Sequence, residues 1–219
     1  MTDTTLPSHH DLTTVTRVAT TELPTPWATF RCVAYRSVRT GNEHLALTLG
    51  EPTVTTGGGT GGGAEAPLVR LHSECLTGDV FGSARCDCGP QLHQALATVA
   101  EAGTGAVLYL RGHEGRGIGL AEKIRAYRLQ DDGLDTVDAN RALGLPDDAR
   151  DYVDGAAMLH DLGLGAVRLL TNNPAKVAGL RAAGVRVVAQ VPVLTTAGPH
   201  NERYLRTKRE RMGHLLAPR

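Results

Sequence analysis

The stretch 166-AVRLLTNNPAKVAGLRAAG-184 decides the fold class. Its first residues form a short apolar run of the kind that makes a buried strand. TNN then supplies a polar loop, Pro174 suits the first helical turn, and Gly184 marks a stop, so the segment reads strand, loop, helix. The same alternation runs through the rest of the chain. Upstream, 67-PLVRLHSE-74 and 105-GAVLYLRG-112 read as strands. Between them, residues 90–102 place Leu92, Leu96 and Val99 on one helical face, with Gly103 as the stop. Residues 120–133 read as a helix ending at Gly133, and 151–163 as another, with Tyr152, Ala156 and Leu159 in register. The run 186-RVVAQVPV-193 is a further strand, and 201-NERYLRTKRERMGHLL-216 a charged, exposed helix. Strands alternating with helices predict an α/β fold, a mixed or parallel sheet core with flanking helices. A β-rich N-terminal part precedes it, because 28-ATFRCVAYRSV-38 and 44-HLALTLG-50 form two strands about a turn at residues 40–42.

The 219 residues suffice for one large domain with a sizeable core. Residues 1–20, polar and Thr-rich, read as a flexible tail, leaving 21–219 as a single domain. Within it, 57-GGGTGGG-63 lacks the GK[ST] ending and following helix of a phosphate loop, and reads as a flexible surface loop. Lys+Arg and Asp+Glu both number 23, which gives none of the basic excess expected of a nucleic-acid binder. No apolar run approaches the roughly 18 residues of a membrane span, and the N-terminus carries no signal-peptide core. A cytoplasmic protein with reduced thiols is therefore expected.

Under reducing conditions, 73-SECLTGDVFGSARCDCG-89 reads as a metal site before a disulfide. Cys75, Cys86 and Cys88 are soft ligands suited to zinc, and the loop 76–85 can return the chain to the same ion. Three ligands would leave one position for water, as in catalytic zinc sites, where the pKa of that water falls towards about 7. The competing readings are three ordinary buried cysteines, or a structural site completed by His72 or Asp87. Cys32, within a strand pattern, reads as a buried inert thiol.

Three other segments carry anion chemistry. The turn 111-RGHEGRGIG-119 combines four glycines with Arg111 and Arg116, two guanidinium forks for phosphate. In 145-LPDDARDY-152, Asp147, Asp148 and Asp151 surround Arg150; a solvated helix start is the ordinary explanation. The junction 171-TNNPAK-176 points helix N–H groups and a lysine at one place, which suits both a cap and an anion.

Taken in order, RLHSECLTGDVFGSARCDCGPQL, LRGHEGRGIGLAEKIRAYRLQDDGLDTVDAN, LGLPDDARDY, RLLTNNPAK and NERYLRTKRERMGHLL resemble GTP cyclohydrolase II from about Glu22 to Leu216. That family converts GTP to 2,5-diamino-6-(5-phosphoribosylamino)pyrimidin-4-one, formate and pyrophosphate, opening the riboflavin pathway. The resemblance implies one zinc ion per subunit on Cys75, Cys86 and Cys88, which activates water against C8 of the guanine. Tyr127 matches the tyrosine of ring opening, Asp148 the proton acceptor and Arg150 the proposed nucleophile at the α-phosphate. A guanidinium is essentially always protonated, so stabilising charge at that phosphate is the physically easier role for Arg150. GTP contacts are implied at Arg70, Leu71, His72, Ser73 and Glu74, at Gln91, at Glu114, Gly115 and Arg116, and at Thr136, Thr171 and Lys176. The resemblance further implies Mg²⁺ riding on the triphosphate, a homodimer, and no nucleic-acid or membrane partner.

Two features depart from the family pattern: His113 stands where Gln is commoner, and the Gly-rich linker is longer than usual. The dihydroxybutanone-phosphate synthase domain fused to many relatives is not in this sequence, which implies a single-activity form. The rival expectations are a relative that stops at the N-formyl ring-opened intermediate, and a non-catalytic zinc-containing GTP sensor.

Overall fold

Strand-forming and helix-forming runs separate cleanly in the computed structural model, which describes residues 14–50 and 65–215. The strands are β1 (Val15–Pro24), β2 (Thr29–Ser37), β3 (Glu43–Leu49), β4 (Leu68–Ser73), β5 (Gly105–Leu110), β6 (Ala166–Leu170) and β7 (Arg186–Val191). They form one sheet in the order β1-β2-β3-β5-β4-β6-β7. The N-terminal strands and β5 pair antiparallel, while β5, β4, β6 and β7 run parallel. The helices are α1 (Leu76–Asp79), α2 (Cys88–Ala102), α3 (Leu120–Asp131), α4 (Thr136–Ala142), α5 (Val153–Asp161), α6 (Pro174–Ala182) and α7 (Glu202–Met212). The α/β expectation, with its mixed sheet and β-rich N-terminal part, matches this arrangement.

Side-chain alternation along the central strands builds two cores. On one face Val69, Leu71 and Leu108 pack with Ala156 and Leu159 of α5 and Leu180 of α6. On the other, Leu68 and Val107 pack with Ala95, Leu96 and Val99 of α2. From β4 the chain crosses through α2 to β5 on one side. From β5 it returns past β4, through α3, α4 and α5, to β6 on the other side. The connections therefore diverge at β4 and β6. In open α/β sheets the crevice beyond the carboxyl ends of such strands is where ligands bind. The cysteine segment follows β4 and the TNNPAK junction follows β6, so both motifs reach that crevice.

Some expectations need correction. Residues 15–20 are not a flexible tail: they are the first part of β1, paired with β2 along its length. β1 is an edge strand with almost every side chain exposed, so it is held by the backbone ladder, by Val15 packed in the core and, more weakly, by the exposed pair of Arg17 and Asp161, 2.6 Å apart. Such a strand needs no apolar pattern for the sequence to display. The remainder of the expected tail and the run 57–63 lie outside the described residues. α1 and α4 were not anticipated. The terminal helix is not simply exposed, since Thr207 and Lys208 are buried. No helix among the described residues is long and apolar enough to cross a membrane.

Candidate active site

β4 ends at Ser73, and the next turns fold the chain back on itself until three thiols meet. The Sγ atoms of Cys75, Cys86 and Cys88 all lie within 4.8 Å of one another, with Cys75 and Cys86 3.6 Å apart. Glycine at 78 makes this possible, because a Cβ there would sit 2.8 Å from Cys86 Sγ and 3.1 Å from Cys75 Sγ. A clustered, largely buried set of soft donors fits zinc. Neither proposed fourth ligand joins it. His72 Nε2 lies 3.0 Å from both carboxylate oxygens of Asp79, and Asp87 is committed to Lys208 and Gln91. Among the described residues the metal-competent cluster is the three cysteines alone.

Hydrogen bonds from Cys86 and Cys88, and then the charge of Lys123, hold the Cys75 thiol well below its ordinary pKa. The bond to Cys75 pushes Cys86 up to about 11. Lys123, from α3, donates to Cys75 Sγ at 3.1 Å, Thr77 Oγ1 at 2.9 Å and Glu114 Oε1 at 2.6 Å. Burial alone would lower its pKa, but Glu114 and Cys75 outweigh burial and raise it. Glu114 is fixed in turn by accepting from the Leu76 N–H at 2.6 Å. Asp79 fastens the start of the segment, accepting from Cys75 N and from Tyr109 Oη.

The trio borders an open cavity whose walls include Glu114, Tyr127, Thr136 and Asn140. Burial raises the Tyr127 pKa, so its phenol stays protonated. A second cavity adjoins the first, and Ser73, Cys88, Arg116, Arg150 and Tyr204 face both. Its lining holds Arg70, Arg116, Arg150, Lys176 and Lys208. Lys176 is buried and donates to Leu71 O at 2.6 Å. Burial, reinforced by Arg70, Arg150 and Lys208, depresses its pKa strongly. Arg70 donates to Leu170 O and to Gln91 Oε1. Arg70 Nε and His72 Nδ1, both buried, have no hydrogen-bond partner. Buried polar atoms are rarely left so unless something else satisfies them.

The loop before α5 brings Arg150 to the junction of the cavities. Asp148 accepts from Arg150 Nε at 2.8 Å and Nη2 at 2.5 Å. Burial pushes the Asp148 carboxyl up, but the fork of Arg150 outweighs it and holds the carboxyl below its ordinary value. The Arg150 guanidinium, despite its own burial, is raised by Asp148 and remains charged. Arg116 has a left-handed backbone, with φ of 68°, and its carbonyl accepts from Ala149 N. Gly117 beside it has φ of 88°, and a Cβ there would crowd Ala149. A non-glycine residue in that conformation costs on the order of 1–3 kcal/mol, strain of the kind concentrated at ligand sites.

The structure gathers most of the expected residues at these cavities and sets a few apart. Ser73, Glu74, Glu114, Gly115, Arg116 and Thr136 border the thiol end. Arg70, His72, Gln91, Thr171 and Lys176 border the cationic end. Leu71 does not face them: its side chain is fully buried in the core, and only its carbonyl takes part, by holding Lys176. Asp148 borders neither cavity and stands behind Arg150. Arg111, read as a phosphate fork, is exposed and lies 3.6 Å from Glu74 instead. His113 takes Ser73 Oγ at 3.1 Å, and burial, then Arg150, pushes its pKa down to about 3. Cys32 is buried in β2, away from the trio. Sequence reasoning passed over Lys123, Asp79, Tyr204 and Lys208. The spacing of Lys123 to Tyr127, and of Tyr204 to Lys208, is the i,i+4 signal that places each pair on one helix face.

Comparison with known proteins covers the same segment. The model of the GTP cyclohydrolase II family matches residues 16–192. Riboflavin biosynthesis protein RibBA of Mycobacteroides abscessus is 57% identical over 203 residues, covering 93% of this chain and 48% of that protein. RibBA of Salinispora arenicola is 58% identical over 199 residues, covering 91% of this chain and 45% of that one. The chain thus spans about half the length of the curated relatives it matches. Among solved structures, RibBX of A. baumannii, a two-domain 3,4-dihydroxy-2-butanone 4-phosphate synthase, gives a TM-score of 0.44 at 21% identity. That likeness covers 84% of this chain and 41% of the other. Because the family match runs from β1 to beyond β7 and takes in the whole cysteine segment, the chain belongs to the GTP cyclohydrolase II family.

Proposed function

We propose that this chain is a zinc-dependent GTP cyclohydrolase II, hydrolysing GTP to 2,5-diamino-6-(5-phosphoribosylamino)pyrimidin-4-one, formate and pyrophosphate, the first step of riboflavin biosynthesis. The observation that carries this reading is the junction of two unlike sites: a thiol cluster and a cationic crevice with shared walls. A nucleoside triphosphate has matching ends, a neutral base and a polyanion.

Cys75, Cys86 and Cys88 would hold zinc and leave a position open. The ion when bound supplies a Lewis acid and an activated water at C8 of the base. The chain's own residues do the rest. Glu114, fixed by Leu76 and Lys123, and Thr136 border the base end. Tyr127, kept protonated beside the trio, is the proton donor of ring opening. Arg70, Thr171 and Lys176 bind the triphosphate, which brings Mg²⁺ with it. Arg150 stabilises charge at the α-phosphate, because its raised pKa leaves no lone pair for attack. Asp148 orients Arg150 and accepts a proton only when the fork opens. The working form on this reading is a cytoplasmic homodimer.

The test is incubation of purified, zinc-loaded protein with GTP and mass spectrometry of the products. Formate and pyrophosphate in equal amounts, with the diaminopyrimidine, are expected. Pyrophosphate without formate, with a product one water heavier than GMP, would point to an N-formyl product, and bound but unchanged GTP to a binding protein.

A further inference from the structure

α7 follows residues 16–192, the segment that the family model matches, and supplies one wall of the site. Tyr204 faces both cavities, and Lys208, one turn on, faces the cationic one together with Met212 and His214. The helix is fastened at several points. Arg211 pairs with Asp135 and Asp138 at the start of α4, Arg203 reaches Gly133 O, and Leu215 N donates to Asn172 O at 2.9 Å.

The innermost fastening is an ion pair between Lys208 Nζ and Asp87 Oδ1, 3.0 Å apart, with side chains 9% and 1% exposed. Asp87 is the single residue between two of the metal-competent cysteines, and it occupies the N-cap position of α2. An aspartate there ordinarily accepts N–H groups of the first helical turn. Asp87 makes no such bond. Its oxygens instead take Lys208, Gln91 Nε2 at 2.5 Å and Thr195 Oγ1 at 3.4 Å. Gln91 passes the connection to Arg70. A buried line, Lys208–Asp87–Gln91–Arg70, thus ties α7 through the cysteine turn to the floor of the cationic crevice.

We infer that Lys208 is a positioning residue of the metal site: its ion pair with Asp87 sets the Cys86–Asp87–Cys88 turn so that both sulfurs face the ion held with Cys75. α7 is accordingly a working wall of the site and not an appended helix. This rests on the reading that the trio binds zinc. Partners that orient metal ligands typically change metal affinity by about 10–100-fold when removed.

The experiment compares zinc retention against a chromogenic chelator, and the urea unfolding midpoint, in four proteins: wild type, Lys208→Met, Lys208→Arg, and Lys208→Met with Asp87→Asn. Lys208→Met is expected to hold zinc at least about tenfold more weakly, and Lys208→Arg, which keeps the charge, to recover most of that loss. The double variant removes both buried charges, so its unfolding midpoint should return towards wild type while zinc remains weakly held. That separation is what a merely structural ion pair would not produce. Zinc retention that recovers together with stability in the double variant overturns the proposal, as does wild-type retention in Lys208→Met. A wild-type protein that holds no zinc refutes the metal reading itself, and this proposal with it.

Discussion

Lys123 Nζ lies 3.1 Å from Cys75 Sγ, a cation set against a sulfur that three neighbours hold towards thiolate. Three thiolates around a divalent ion would leave the site with excess negative charge in a largely buried place. A second contact of Lys123, 2.6 Å to Glu114, ties the same ammonium to the wall of the cavity beside the trio. The lysine therefore joins the thiol cluster to the proposed substrate end.

Lys123→Met should lower zinc affinity by about 10–100-fold in a chelator competition. It also strands Glu114, whose side chain is 7% exposed, and breaking a buried pair in this way costs about 3–5 kcal/mol in urea unfolding. Adding Glu114→Gln should restore most of the stability without restoring zinc. Recovery of both together would mean that Lys123 acts only on the fold.

Arg150→Lys keeps a charge but loses the fork on Asp148. If the guanidinium stabilises charge at the α-phosphate, kcat should fall by about 10²–10³, the usual loss for one such donor. Pyrophosphate should still be released, and no guanylyl adduct should be trapped on the native protein. An adduct at Arg150 would establish the nucleophile role instead. Asp148 supplies the linked pH signature. Its folded pKa is depressed, so its stabilisation is complete above the ordinary aspartate value of about 3.9 and is lost as pH falls through the folded value. In Arg150→Ala the carboxyl should titrate at higher pH by carbon NMR.

Much of this molecule could be read from the chain because buried parallel strands and a cysteine cluster leave local marks. GAVLYL is almost wholly buried, and its apolar run announces it; LVRLHS is buried as well, although Arg70 and His72 interrupt its apolar pattern. β1 left no such mark, since an exposed edge is held by backbone pairing. Family resemblance placed residues 70–74 at the ligand as a block, but strand alternation divides them: Arg70 and His72 turn to the crevice and Leu71 to the opposite core. The buried role of Lys208 was illegible for another reason. Its partner Asp87 is more than a hundred residues away, and a helix carrying Arg203, Arg206, Arg209 and Arg211 looks solvated when read alone.

Lys176 should take up a proton when an anion enters the crevice. Its pKa is depressed by burial and by Arg70, Arg150 and Lys208, so in the free protein it yields its proton below the ordinary lysine value of about 10.4. Between the depressed and ordinary values the unfolded chain binds more protons, and stability rises with pH across that window. A bound polyanion favours the charged form and reverses the loss. Calorimetry of pyrophosphate binding in two buffers of different ionisation enthalpy should show uptake that grows with pH. Lys176→Met should abolish the uptake and weaken binding. Equal uptake in that variant would place the titrating group elsewhere.

Gly78→Ala tests the thiol cluster with one methyl group. The residue lies in α1 without a positive φ, so alanine suits the backbone and by propensity alone would gain about 1 kcal/mol. The obstacle is in the side chains: the new Cβ would stand 2.8 Å from Cys86 Sγ, 3.1 Å from Cys75 Sγ and 3.1 Å from Cys88 Cβ. The sulfurs must move apart, and a tetrahedral ion needs all three at about 2.3 Å. Zinc affinity should therefore fall at least about tenfold, on the scale of an outer-shell loss, while the circular dichroism spectrum stays that of the wild type. Gly165→Ala, with no atom within 4 Å of its Cβ and no positive φ, is the control and should bind zinc normally. If Gly78→Ala binds zinc as tightly as the control, the ion is not held by these three sulfurs in this arrangement.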